Sequence, residues 1–383
     1  MDKKIKLAIV SFPINTLGGG FDIFYNWFNT LDKTAFEIHF ITCSNHFSKI
    51  NNRMENLPHV RTVNLTSLSK WYFFYIPGII SLVKYMRSNN IEIVHTSMIQ
   101  ADILGSFAAK LAKTPIIVST VIGYLINTNS GLLGKIKTSI YKTAYKVSKR
   151  WFNRILTISK ATFDELVLDF EVDKEIMEVN YCGIELPKKE FVTLTRRKEE
   201  QVVGVLGELI HAKGMWVFVE SIPLILDKFP HTKFVIAGDG KEKTSLEKRV
   251  KDLKLDDKVT FLGWVDNPRE VIKNMDIFVF PSLPSYDGLP RVILEAWALG
   301  TPVITTRVAC VPELFDGKNK GLTINPSCHK EIAASVLKLL RDPQMAKKMA
   351  SNALEDIKTF DKNNEIIRMQ NIYKELYKIN ISN

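Results

Sequence analysis

Cysteine is scarce in this chain of 383 residues. Disulfide frameworks and cysteine-ligated zinc sites need cysteines in close pairs, and the sequence contains no C-x-x-C motif. This argues against a disulfide-stapled protein and against a structural zinc site. The cysteines are expected to be ordinary buried thiols of a protein in a reducing compartment, and they are Cys43, Cys182, Cys310 and Cys328.

Long apolar runs are also missing. A membrane-spanning helix needs about 20 consecutive apolar residues. The longest stretch without a charge, 114–134, is interrupted by Pro115 and Gly123, and the aromatic segment 71–83 contains Pro77. The basic start of the chain is followed by an apolar segment that is too short for a secretion signal and is expected to be the first β-strand. A cytoplasmic protein without a transmembrane helix is therefore predicted.

Acidic residues are absent between Asp102 and Asp164, although this part of the chain is rich in basic residues. The net charge of +11 is thus unevenly distributed along the chain. The basic side chains of this segment must face either an anionic partner or water. No motif typical of groove reading accompanies the charge, so a nucleic-acid partner is not predicted. The basic residues of the segment are Lys110, Lys113, Lys135, Lys137, Lys142, Lys146, Lys149, Arg150, Arg154 and Lys160.

A helix predicted over 132–155 carries much of this charge. One side is apolar, with Ile136, Ile140, Ala144, Val147 and Trp151 at helical spacing. Lysines lie roughly opposite, at positions 135, 142, 146 and 149. Two interpretations are open: a helix on an anionic membrane surface, or a domain helix that packs on its sheet with solvated lysines. The uninterrupted positive charge favours the membrane surface, at the inner face of the cell membrane.

Short β-branched runs alternate with helical stretches along most of the chain. This pattern predicts an α/β protein with two doubly wound Rossmann-like domains, each a parallel sheet covered on both faces. The first domain is expected at 1–185, a polar linker at 186–200 and the second domain at 201–360, and a helix at 361–383 is expected to pack back on the first domain. Ligands of such folds bind at the carboxyl ends of the strands, here in a central cleft between the domains.

The segment from Phe280 to Thr306 is the most informative one. A strand is followed by a loop rich in Pro, Ser and Gly, and a helix begins near Pro290. The backbone N–H groups of a helix start and the positive end of its dipole attract phosphate. Glu295 lies in an apolar part of this helix and needs a partner, which sugar hydroxyls or a structural arginine could supply. The residues expected at the phosphate are Gly288, Leu289, Arg291 and Val292, with Asp287 just before them.

Three further motifs follow predicted strands. Lys213, in the segment GELIHAKG, could reach a diphosphate, although a solvated lysine is the simpler interpretation. Gly19 and Gly20 belong to a glycine cluster that permits close approach of a ligand to the backbone or forms a plain tight turn. Gly238, in the segment AGDG, is expected to form a turn with a possible nucleotide contact.

Taken together, these motifs resemble those of glycosyltransferase family 4, which has the GT-B fold. The family carries two acidic residues eight positions apart before an EA-x-A-x-G-x-P-V-I pattern, and Asp287 and Glu295 match them in the segment DGLPRVILEAWALGTPVI. The resemblance extends over nearly the whole chain and is closest to members that build bacterial surface polysaccharides. FLGWV at 261–265 and VNYCGIELP at 179–187 follow the family's order.

The resemblance implies a retaining transfer of a sugar from a nucleotide diphosphate donor, with a UDP-sugar expected, to a lipid-linked or polysaccharide acceptor. It places Glu295 on the donor ribose and Asp287 on the donor sugar. No metal and no cofactor are implied, and the sequence has no Asp-x-Asp diphosphate motif. Lys213, the helix-start amides and Arg291 would then balance the charge of the diphosphate.

Three positions depart from the family pattern. Glu208 stands where the family usually has an arginine five residues before the lysine, Ile122 where it often has a histidine, and Asp287 where it has glutamate. A carboxylate beside a diphosphate is repelled, so we expect Glu208 to turn away from the phosphates and toward Lys213. The departures keep two alternatives open: a nucleotide-sugar 2-epimerase on the same fold, and a catalytically degenerate partner protein.

Overall fold

The structure, a computed structural model, describes residues 3–11, 19–42, 52, 54–65, 76–123, 132–187, 200–284, 288–308, 310–317 and 319–381. The chain forms two compact units. The first unit comprises Met1–Gly183 together with Lys362–Asn383, and the second comprises Ile184–Asp361.

The first unit is built on a seven-stranded parallel sheet. Its strands are β1 (Ile5–Ser11), β2 (Phe36–Thr42), β3 (Val60–Asn64), β4 (Ile93–Ser97), β5 (Ile116–Val121), β6 (Arg154–Thr157) and β7 (Met177–Val179). They are ordered β3-β2-β1-β4-β5-β6-β7, so strand addition changes direction between β1 and β4. Nearly every residue of β1 and β5 is buried, because helices cover both faces of the sheet.

Two groups of helices cover this sheet. They are α1 (Gly19–Thr30), α2 (Ile76–Ser88), α3 (Ile99–Ala112), α4 (Leu132–Ser148), α5 (Lys160–Phe170) and the C-terminal α13 (Lys362–Ile381). Trp27 of α1 and Tyr373 of α13 pack on His95 of β4, on one face. Leu82 of α2 and Tyr145 of α4 share a core with the neighbouring residues of the strands, on the other face.

The second unit repeats the same architecture on a six-stranded parallel sheet. Its strands are β8 (Val202–Leu206), β9 (Lys233–Ala237), β10 (Val259–Gly263), β11 (Ile277–Phe280), β12 (Val303–Thr306) and β13 (Leu322–Ile324), in the order β10-β9-β8-β11-β12-β13. Its helices are α6 (Met215–Leu226), α7 (Lys243–Asp252), α8 (Pro268–Lys273), α9 (Arg291–Ala298), α10 (Val311–Phe315), α11 (His329–Arg341) and α12 (Pro343–Asp356). The predicted pair of doubly wound parallel-sheet folds is therefore confirmed.

The C-terminal helix α13 is anchored in the first unit by a buried carboxylate. The indole Nε1 of Trp27 donates to Glu365 Oε1 at 2.6 Å, and the backbone N–H of Gly183 donates to Glu365 Oε2 at 2.8 Å. Both carboxylate oxygens are therefore satisfied, which a buried charge requires. Ile366 and Met369 of the same helix are fully buried.

The helix predicted over 132–155 ends earlier than expected. α4 stops at Ser148, a 3₁₀ turn spans Lys149–Trp151, and β6 follows. The cause is sheet pairing, because the backbone N–H of Asn153 donates to the carbonyl of Ile117 at 2.8 Å and its side-chain Oδ1 accepts from the N–H of Ile117 at 2.9 Å. These bonds draw the chain into the sheet. None of the helices in the described parts of the chain is long and apolar enough to cross a membrane.

Candidate functional site

Three of the predicted motifs lie at one edge of the second sheet. The segment 207–214 follows β8, the segment 238–240 follows β9, and Pro281 follows β11. These strands are neighbours in the order β9-β8-β11, and strand addition reverses between β8 and β11. Ligands of doubly wound folds bind at the carboxyl ends of strands at such a reversal, so this edge is the candidate site.

The loops at this edge are hydrogen-bonded to one another. The N–H of Gly207 donates to the carbonyl of Ala237 at 3.0 Å, and the N–H of Leu209 donates to that of Asp239 at 2.9 Å. On the other side, the N–H of Leu283 donates to the carbonyl of Ala212 at 2.8 Å. The segment carrying Lys213 is thus held by both neighbouring loops, which pre-organises it for a ligand.

Two glycines allow this close approach. A Cβ on Gly238 would lie 1.9 Å from the carbonyl oxygen of Gly207, and a Cβ on Gly214 would lie 2.0 Å from that of Pro281. Gly214 also has a φ of +66°, in the region that favours glycine. The AGDG segment therefore packs against the loop that follows β8, and its expected contact with a nucleotide stays a prediction.

Lys213 closes a 3₁₀ turn, His211–Lys213, between β8 and α6. Its side chain is half-buried, and its Nζ lies 5.8 Å from the centroid of the Phe280 ring at the end of β11. A cation over an aromatic face is stabilised there. The ammonium of Lys213 therefore lies near the carboxyl end of β11. From this strand end the chain continues to α9.

Helix α9 brings the second set of predicted residues to this edge. Gly288, Leu289 and Pro290 are buried before its start, and Arg291 and Val292 form its first turn. The first N–H groups of a helix have no partner within the helix and can bind an anion. Glu295 is half-buried one turn further on, between Leu294 and Ala296, which are fully buried.

Asp287 lies outside the described residues. Gly19 and Gly20 are the first residues of α1, in the first unit. Ile122 follows β5 and is half-exposed, so an imidazole is not supplied from the position where the resemblance expects one.

Glu208 is exposed to solvent. Its expected pair with Lys213 is wrong: within the described ranges, no cation lies within ion-pair distance of Glu208. The reason is local geometry, because Leu209 is fully buried and tied to Asp239, which separates the exposed Glu208 from the turn that carries Lys213.

An aromatic stack beside Lys213 was not anticipated from the sequence. The rings of His211 and Trp216 lie 5.8 Å apart and are nearly parallel, and His211 Nδ1 lies 3.7 Å from Glu242 Oε1. The sequence signal that could have indicated this stack is the placement of a histidine and a tryptophan at the two ends of the turn HAKGMW. The stack fixes the two ends of the turn around Lys213.

The predicted lysine stripe of α4 turns toward the neighbouring helix α5. Lys142 Nζ lies 3.8 Å from Asp169 Oδ1, and Lys146 Nζ lies 2.6 Å from Glu171 Oε1. Lys149 donates to backbone carbonyls at the carboxyl end of α5, where the helix dipole is negative. Both ion pairs lie at the surface, where Lys142 and Lys146 keep about a third of their side chains exposed, and contact of these lysines with a membrane surface stays a prediction.

The first unit holds a buried carboxyl group at its sheet. Asp102 Oδ1 accepts from Thr96 Oγ1 at 2.5 Å and from Ser119 Oγ at 2.7 Å. Burial raises the pKa of Asp102 to about 7, because the ionised form loses its hydration, and the two hydroxyl donors only partly oppose this. On the other face of the sheet, burial lowers the pKa of His95 to about 3. Near neutral pH His95 is therefore an uncharged structural group.

Two protein-family models match the chain. The model described as Glycosyltransferase Family 4 matches residues 17–188, and the model described as Glycosyl transferases group 1 matches residues 188–356. The matched ranges meet at the boundary between the two units. Together they extend over well more than half of the chain.

Curated relatives are similar over large parts of the chain. A UDP-Gal:alpha-D-GlcNAc-diphosphoundecaprenol alpha-1,3-galactosyltransferase of Escherichia coli is 28% identical over 63% of this chain and 65% of its own length. An N-acetyl-alpha-D-glucosaminyl L-malate synthase of Bacillus anthracis is 25% identical over 92% of both chains. The chain thus spans slightly less than two thirds of the first relative and nearly all of the second.

Solved structures share the fold. Alr3699/HepE of Anabaena in complex with UDP is similar with a TM-score of 0.79 and 17% identity, over 97% of this chain and 100% of that one. Sucrose-phosphate synthase of Thermosynechococcus elongatus has a TM-score of 0.79 and 18% identity, over 98% and 100%. The two consecutive family matches and this shared architecture show that the chain belongs to glycosyltransferase family 4 and is a glycosyltransferase with the GT-B fold.

Proposed function

We propose that the protein is a retaining glycosyltransferase that moves a sugar from a UDP-sugar to a lipid-linked or polysaccharide acceptor in cell-surface glycan synthesis. The E. coli relative acts on a diphosphoundecaprenol-linked sugar, and a Staphylococcus aureus relative, 22% identical over 73% of this chain, serves capsular polysaccharide biosynthesis. HepE, a neighbour in fold, binds UDP and UDP-glucose. These names support the donor and acceptor classes.

The donor diphosphate is proposed to bind at the carboxyl ends of β8 and β11. One cation, Lys213, reaches this edge from the first of these strands, and the helix start at Arg291 and Val292 reaches it from the second. Negative charge grows on the diphosphate as the bond to the sugar breaks. A fixed ammonium and fixed N–H dipoles stabilise that charge without reorganising, which is the largest catalytic effect such a site offers.

The sugar end of the donor is proposed to lie between the two acidic positions. Glu295, half-buried on α9, would accept hydrogen bonds from the ribose hydroxyls, and Asp287 would bind the transferred sugar. Charge-assisted bonds of this kind are stronger than neutral ones. Gly238, and Gly19 with Gly20 in the first unit, are proposed as places where the backbone lies close to the donor. No metal takes part in this proposal.

The acceptor is proposed to be presented at the inner face of the cell membrane, with the protein bound peripherally. An undecaprenol-linked acceptor, as in the name of the E. coli relative, remains in the bilayer and must be met at its surface. A positively charged first unit fits a surface of anionic lipids.

The observation that carries the proposal is the convergence of Lys213 and the start of α9 on one strand-end edge. Calorimetric titration of the whole protein with UDP, GDP and ADP tests it. UDP is expected to bind most tightly, and Lys213→Ala is expected to weaken it while Glu208→Ala does not. Equal binding of all three nucleotides, or no binding, would contradict the proposal. Release of an epimerised free sugar nucleotide without any acceptor would support the epimerase instead.

A further inference from the structure

Helices α2, α3 and α4 lie side by side on one face of the first sheet, and each directs apolar side chains to solvent. On α2, Ile80 is 59% exposed while Leu82 and Met86 are buried. The helices of a soluble domain ordinarily turn polar residues outward. We name this surface the outer helical face, and its apolar residues are Ile80, Phe107, Leu111, Ile136, Ile140 and Val147.

The outward side of α4 is its apolar side. Ile136, Ile140 and Val147 are 45–49% exposed, whereas Tyr141 and Tyr145 of the same helix are buried. The apolar stripe read from the sequence is therefore real, but it lies on the surface of the unit. Lys142 and Lys146 of the same helix instead lie beside Asp169 and Glu171, at the carboxyl end of α5.

Cations lie among the apolar residues of the outer helical face. Exposed Lys84 and Lys110 each follow one of its apolar residues by three or four positions on the same helix, which makes them surface neighbours, and exposed Arg150 follows Val147 by three positions in the 3₁₀ turn after α4. The three helices contain a single acidic residue, Asp102, and it is fully buried. The described surface of these helices thus combines exposed apolar groups with charge of one sign.

A groove runs along this face between α2 and α3. It has a volume of about 670 Å³, and apolar side chains such as Ile79, Val83 and Leu111 line it. Lys84 and Arg87 also line it, and the guanidinium of Arg87 donates to the carbonyl of Leu111. A mainly apolar groove that two cationic side chains also line matches a hydrocarbon chain that carries an anionic headgroup.

We propose that the outer helical face docks on an anionic lipid surface. Its apolar side chains enter the boundary between headgroups and acyl chains, and Lys84, Lys110 and Arg150 contact lipid phosphates. A symmetric contact with a second copy of the chain would bring the same cations against each other, which disfavours a protein partner of that kind. The inference rests on the proposed membrane acceptor and adds the surface that meets the membrane.

Co-sedimentation of the full chain with vesicles tests this face. The vesicles are phosphatidylcholine alone or phosphatidylcholine with phosphatidylglycerol, at low and at high salt. The apolar variant is I80Q/L111Q/I140Q, and the charge variant is K84E/K110E/R150E. Matched controls change exposed residues elsewhere, L224Q/I367Q/I379Q for apolar area and K248E/K251E/K254E for charge.

We expect the unmodified protein and both controls to bind the anionic vesicles, less at high salt and weakly when the lipid is neutral. Each variant of the outer helical face should lose at least about tenfold in vesicle binding. The charge variant loses the attraction of three cations to the anionic lipids, and the apolar variant loses the side chains that enter the lipid boundary. UDP affinity should be the same in all five proteins. This shared affinity shows that the variants are folded and separates the docking surface from the donor site.

Three results would overturn the inference. The first is equal vesicle binding by the face variants and the controls. The second is no vesicle binding by the unmodified protein, which would leave the transferase proposal intact if UDP still binds. The third is a dimer in sedimentation velocity that only the face variants dissociate, because the face would then belong to a protein interface.

Discussion

The α-carbon of Gly214 packs directly on the backbone carbonyl of Pro281, so that a Cβ at position 214 would lie 2.0 Å from that oxygen. This contact joins the turn after β8 to the loop after β11. Lys213 directly precedes Gly214, and its side chain reaches Phe280 at the end of β11. The geometry of the candidate site therefore depends on the absence of a side chain at one position.

Gly214→Ala is expected to destabilise the protein and to weaken UDP binding. The left-handed conformation at φ +66° alone costs a non-glycine residue about 1–2 kcal/mol, and the clash with Pro281 adds to it. Urea unfolding and calorimetry measure the two effects. Gly317→Ala is the matched control, because Gly317 has a φ of +67° and no heavy atom near its would-be Cβ. Equal losses in both variants would show that the contact with Pro281 is unimportant.

Lys213→Ala is expected to cost far more UDP affinity and transfer activity than Glu208→Ala. An ammonium bonded to phosphate contributes roughly 1.5–3 kcal/mol, which corresponds to a loss of about 10- to 100-fold. Glu208 is exposed and unpaired among the described residues, so its removal should be nearly neutral and Glu208→Arg should leave binding unchanged or tighter. If Glu208→Ala abolished transfer and Lys213→Ala did not, the diphosphate assignment would be wrong.

Glu295→Gln is expected to lower UDP affinity by about tenfold while the fold survives. The substitution keeps the shape of the side chain and removes the charge from the proposed ribose bonds, worth roughly 1.5–3 kcal/mol. Calorimetry with UDP measures the loss, and thermal unfolding checks the fold. An unchanged affinity in a folded variant would refute the ribose assignment. A matched titration with the diphosphate lacking its nucleoside should show no difference between the two proteins.

Asp102 is expected to make stability depend on pH. Its pKa is raised from 3.8 to about 7 in the folded protein, so the folded state binds the proton more tightly than the unfolded state does. The stabilisation is fully present below about pH 4 and is lost as the pH rises through 7, with a total on the order of 4 kcal/mol.

Asp102→Asn isolates this effect. The asparagine Oδ1 can accept the same bonds from Thr96 and Ser119, but it does not titrate. The stability of the unmodified protein relative to this variant, from urea unfolding, should therefore fall between pH 4 and pH 8. A difference that stays constant over this range would show that Asp102 is not the titrating group.

Local patterns were sufficient for the fold class. Alternation of strands and helices predicts both sheets, and the positions of Pro290 and Gly300 predict the helix that carries Glu295. The segments that follow β8, β9 and β11 could be placed at strand ends because turn residues mark the end of each strand. That these three ends are neighbours follows from the order of the strands and was visible only in the structure.

The sequence by itself determined where the strands, helices and candidate cations of this protein lie along the chain, because hydrophobic period and turn chemistry act over a few residues. Only the tertiary structure decided what each group meets. Lys146 pairs with Glu171, Glu208 lacks the expected pair with Lys213, and the apolar stripe of α4 faces outward. The physical reason is that pairing and exposure depend on packing between segments distant in sequence, and one amphipathic pattern fits a core, a partner or a membrane equally well.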